Sequence, residues 1–137
     1  MKTTLTVRTT IISLLALTVV ACAAAGAWAQ QALPSQDVKS LAGKWVGRIT
    51  PSNEILQVQI QPDGSYTSER GTTTGEGTIK MDGSRLMADG HLVTGPNAAV
   101  AGAEKAELTL SSKAGKQVIS GTGRDNEGPY SFQLTRQ

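Results

Sequence analysis

Between residues 41 and 137 the apolar positions recur with a period of two: Trp45 and Ile49, then Leu56, Val58 and Ile60, then Leu108 and Leu110, then Tyr130, Phe132 and Leu134. Alternation of this kind marks β-strands with one face buried, whereas a helix repeats at three and four. Turn residues interrupt the pattern at short intervals. Ile60-Gln61-Pro62-Asp63-Gly64-Ser65 recurs nineteen residues later as Ile79-Lys80-Met81-Asp82-Gly83-Ser84, and both read as hairpin turns, because Asp and Gly accept the left-handed backbone such turns need. Further breaks fall at Pro51-Ser52-Asn53, Gly71 to Gly75, Ala114-Gly115-Lys116 and Asp125 to Pro129. Eight strands result, at 44–50, 54–61, 64–70, 75–81, 84–90, 105–112, 116–124 and 128–136. The interval from His91 to Glu104, rich in Gly and Ala, is the longest irregular connection. It reads as a flexible or half-helical connector, with a flap over the barrel mouth as the alternative.

An open sheet of eight strands would leave two edges free to pair with other chains, so closure is expected. The predicted fold is all-β, an antiparallel, up-and-down, eight-stranded small β-barrel. An interior of that size is either filled by side chains or holds one small ligand.

Before the strands the pattern changes. Lys2 and Arg8 precede an apolar run from Ile11 to Ala21, and small residues follow to Ala27-Trp28-Ala29, the layout of a cleavable secretory signal over 1–29. Ser13 and Thr18 interrupt the run, which is too short for a transmembrane span. Residues 30–40 are polar, contain Pro34 and read as a flexible linker to a barrel domain at 41–137. A second reading starts from Val19-Val20-Ala21-Cys22, which resembles a bacterial lipobox: Cys22, the single cysteine, is then the possible lipidation site and the protein a lipid-anchored envelope protein. The preferred expectation is a soluble periplasmic or secreted protein.

Removal of the signal also changes the charge. The whole chain carries 13 basic and 11 acidic residues, and taking away Lys2 and Arg8 leaves 11 of each. Such a domain has no net positive field with which to collect nucleic acid. With one cysteine at most it has no intramolecular disulfide, so packing and strand pairing must hold it together.

Candidate chemistry is sparse. His91 is the only histidine, and no Gly-x-Ser-x-Gly nucleophile turn accompanies it. Zinc wants clustered Cys and His, so no metal site is expected, and Asp125-Asn126-Glu127 lacks the ligand spacing of a calcium loop. Glu69 with Glu76, or Glu104 with Glu107, would serve glycoside chemistry only if the fold brought them together. Gly75-Glu76-Gly77 and Gly121-Thr122-Gly123 have no phosphate-loop context and read as bends or bulges. No cofactor is implied, and a non-enzymatic protein is the expectation.

Gly43-Lys44-Trp45 resembles the opening of the lipocalin and calycin superfamily, whose first strand begins Gly-x-Trp. The resemblance implies a tryptophan closing one end of the barrel under an arginine from the last strand, here Arg136, and a small apolar ligand inside. The lining it suggests is Trp45, Ile49, Val58, Tyr66, Tyr130 and Phe132. The same opening is similar to small bacterial periplasmic inhibitors of secreted metalloproteases. By that resemblance residues 30–40 form an arm that enters a protease, and the alternative function is an inhibitor or envelope adaptor acting through that arm and the surface loops.

Overall fold

The computed structural model describes residues 31–32 and 37–137. The expected signal segment and Cys22 lie outside the described residues. Among the described residues nine strands follow one another: β1 (Gln31–Ala32), β2 (Gly43–Thr50), β3 (Ile55–Ile60), β4 (Ser65–Arg70), β5 (Thr73–Asp82), β6 (Arg85–Thr94), β7 (Ala103–Lys113), β8 (Lys116–Asp125) and β9 (Gly128–Arg136). From β2 onward each strand pairs antiparallel with the next, and β9 returns to pair with β2 through Trp45↔Arg136 to Thr50↔Ser131. The ring of eight is therefore closed, with no free edge among β2 to β9.

The eight strands lie where the alternation places them, within two residues at most ends. The interval after His91 is shorter than its composition suggests. β6 runs on to Thr94 and β7 starts at Ala103, so residues 95–102 alone are irregular, with one helical turn, α1 (Ala98–Ala101), tied down where the Asn126 amide donates to the Ala101 carbonyl at 3.0 Å. Two hairpins show why the turns form where they do. Lys113 pairs with Lys116 across Ala114 (φ 51°) and Gly115 (φ 77°), a two-residue turn with both residues left-handed. Asp63 Oδ1 accepts from the Ser65 amide at 2.9 Å and its hydroxyl at 2.7 Å, fixing the β3–β4 connection.

The barrel has two unlike ends. At one, the strand order gathers the start of β2, the end of β9 and the β3–β4, β5–β6 and β7–β8 turns. This end is closed. Trp45, Leu41 and Leu86 are wholly buried, and the Trp45 indole Nε1 donates to the Leu41 carbonyl at 2.7 Å. The Arg136 guanidinium lies 4.6 Å from the Trp45 ring centre, and donates from Nη1 to the Ala42 carbonyl at 2.8 Å and from Nη2 to the Ser40 carbonyl. The tryptophan under a last-strand arginine is the arrangement expected from the resemblance noted at Gly43-x-Trp45.

Part of the stretch expected as a linker belongs to this plug. Val38–Leu41 form a 3₁₀ turn whose start is capped by Asp37 Oδ1, which accepts from the Lys39 amide at 3.2 Å, and Val38 packs on the core. β1 pairs with Ser111 and Ser112 at the far end of β7, beyond the reach of β6.

Candidate functional site

The opposite end gathers the β2–β3, β4–β5 and β8–β9 turns and α1, and here the packing is incomplete. A cavity of about 70 Å³ runs into the barrel. Its deep walls are apolar: Val58, Ile79, Ala88, Ala106, Leu108 and Ile119. Tyr66 and Ser68 add polar groups to its wall, and toward the mouth it is bordered by Arg70, Thr73, Glu104 and Tyr130. Ile49, Arg70 and Tyr130 also line a wider outer cleft of about 340 Å³ with Pro51, Glu54, Asn97, Asp125, Glu127 and Pro129.

Glycines make this interior. A Cβ on Gly77 or Gly90 would strike the Tyr66 hydroxyl, and one on Gly121 or Gly123 would strike the ring of Phe132 or Tyr130. Each ring lies across the glycine opposite it in the register: Tyr66↔Gly77, Phe132↔Gly121 and Tyr130↔Gly123. The Gly75 position is a bulge, with a register shift between Thr74 and Gly75, while Gly77, Gly121 and Gly123 are seats for aromatic rings instead of bends.

Charge in the mouth is unevenly matched. The Arg70 Nε lies 3.4 Å from a carboxylate oxygen of Glu54 on the rim. The Glu104 carboxylate has no hydrogen bond or ion pair among the described residues, although Arg70 attracts it from a distance. Burial pushes the Glu104 carboxyl above the usual carboxylate range; Arg70 opposes this, and Asp125 and Glu127 reinforce it. Burial likewise raises the Tyr66 phenol to about 12 and the Tyr130 phenol further, with Glu104 adding to both. The Tyr130 hydroxyl donates to the Lys105 carbonyl at 3.3 Å. Both phenols therefore remain neutral hydrogen-bonding groups across the physiological range.

The raised Glu104 carboxyl has a consequence for stability. A group whose folded pKa exceeds its unfolded value stabilises the fold fully below the unfolded pKa, and that stability is lost as pH rises through the folded one. At neutral pH Glu104 is thus a cost, and Glu104→Gln should raise the urea midpoint there. The gain should vanish at acid pH, where the wild-type carboxyl is itself protonated. Urea titrations of both proteins across the carboxylate range check this, and a loss at neutral pH would show that Arg70 outweighs burial.

Of the six residues suggested for the lining, Ile49, Val58, Tyr66, Tyr130 and Phe132 border the cavity. Trp45 does not: it is buried in the plug at the other end. The other candidates scatter. His91 is exposed on the outer face of β6, its Nε2 3.7 Å from Glu76 opposite it on β5. Glu107 faces outward 3.5 Å from Arg85, away from Glu104, and Glu69 is exposed on β4. Asp125 Oδ1 is occupied by the amides of Glu127 and Gly128, at 2.8 and 3.1 Å. Among the described residues no three His, Cys, Asp or Glu gather as a metal set.

The chain matches no family model, no curated protein and no solved structure.

Arg70, Glu104, Ser68 and Thr73 escape the apolar pattern because they are polar. Their phase gives them away: Ser68 and Arg70 continue the inward alternation of Tyr66, and Glu104 precedes Ala106, Leu108 and Leu110 in step. A polar residue in phase with core positions points inward.

Proposed function

We propose that the chain is an exported, non-enzymatic, lipocalin-like binding module that takes a small apolar ligand into the open end of its barrel. The observation that carries this reading is the cavity: one end of the barrel is plugged, the other opens on apolar walls with a few polar groups at the entrance, which is how ligand sites are commonly built. Export rests on the signal pattern, with the soluble periplasmic or secreted form preferred over a form anchored through Cys22.

Intact mass of protein purified from periplasm and membrane tests both parts. A denatured mass starting at Gln30 supports the soluble form, and one starting at an acylated Cys22 the anchored form. Mass retained only under native conditions supports a carrier. Ala106→Leu, which projects into the cavity from β7, should abolish that retention while the barrel stays folded. No retained mass, together with no NMR response of cavity-lining amides to isoamyl alcohol, overturns the carrier reading in favour of a barrel acting through its surface. The arm of the inhibitor reading is only partly free to act, because the Ser40 and Ala42 carbonyls anchor Arg136. Deleting residues 30–36 leaves those anchors in place, so a carrier should keep its ligand in that variant.

A further inference from the structure

Resting on the carrier reading, we propose that the ligand is a small primary amine whose ammonium head sits against Glu104 while a short hydrocarbon body fills the apolar end of the cavity. The argument starts from what each charged group already has. Arg70 borders the same cavity and attracts Glu104 from a distance, but its close partner is Glu54 on the rim, 3.4 Å from its Nε. The Glu104 carboxylate borders that cavity too and has no hydrogen bond or ion pair among the described residues. A carboxylate out of bulk water without a partner is costly, and a cation that brings its own donors removes the cost. An anionic head would instead meet Glu104 inside, with Asp125 and Glu127 in the cleft outside. Tyr66 and Tyr130 border the space as well, and aromatic rings attract cations.

Size sets the body. At about 70 Å³ the cavity is smaller than the ~150 Å³ engineered void that holds benzene, so only a handful of carbon atoms fit.

Three probes of one skeleton separate the heads: isoamylamine, isoamyl alcohol and isovalerate, each titrated into the whole protein at neutral pH and followed by NMR shifts of cavity-lining amides. The amine should bind about tenfold tighter than the alcohol, as a charge-assisted hydrogen bond provides, and isovalerate weakest. In Glu104→Gln the amine should lose that advantage over the alcohol. An alcohol that equals the amine in the wild-type protein, an acid that binds tightest, or an amine advantage that survives Glu104→Gln overturns the head-group assignment and leaves the carrier standing. Silence from all three probes overturns both.

Discussion

Trp45→Ala should cost about 3–5 kcal/mol, the usual range for removing a buried tryptophan, out of a total stability of roughly 5–15 kcal/mol for a domain of this kind. The side chain is wholly buried and lies under Arg136, and its indole nitrogen is the donor to the Leu41 carbonyl. Truncation leaves a void in the plug, an unpaired carbonyl, and a guanidinium without its ring. Trp45→Phe restores most of the apolar contact but not the hydrogen bond, so about 1–3 kcal/mol of loss should remain. A double-mutant cycle with Arg136→Met isolates the contact between the two side chains, expected at about 0.5–2 kcal/mol. Urea unfolding followed by circular dichroism measures all of these. A loss below about 1 kcal/mol for Trp45→Ala would mean that the end is not held shut by this residue.

That plug also separates what alternation along the chain dictates from what only the closed barrel dictates. Period-two alternation located the eight strands because each buries one face, and a residue's phase is then nearly all that decides its side of the wall. Trp45 points inward, as its phase requires. Phase alone does not say which end of a barrel a residue occupies, however, and Trp45 fell in the plug while Ile49, four residues on, fell on the cavity. The polar entrance was harder to see for a different reason. Arg70 ends its strand and Glu104 lies second in its own, positions where charged residues ordinarily meet solvent. Only closure of the ring turns those strand ends toward a common interior. The glycines were legible as special but not as what they are: Gly121 and Gly123 sit opposite Phe132 and Tyr130 only because β8 and β9 pair in one particular register, and that register is a long-range property.

Gly47→Ala should be the most damaging single methyl group that can be added to the barrel, at about 3 kcal/mol. Gly47 shares its strand with Trp45 and Ile49, and a Cβ built there falls on the carbonyl group of Gln133 and the Cα of Leu134. Those atoms are backbone of β9, so no side chain can swing away. The only relief is to move β2 from β9, and that pairing is the seam that closes the first barrel strand on the last. The same methyl at Gly121 meets the Phe132 ring, which can rotate or be shortened. Gly121→Ala should therefore cost less, and Phe132→Leu should recover part of the loss. No side-chain change should rescue Gly47→Ala. Gly115→Asn serves as the control, since open space surrounds that glycine and asparagine tolerates its left-handed backbone. Urea midpoints should rank the wild type and Gly115→Asn together, Gly121→Ala below them, and Gly47→Ala lowest. A Gly47→Ala protein as stable as the wild type would show that β2 and β9 do not meet, and with an open seam neither the plug nor the cavity would keep the walls described for them.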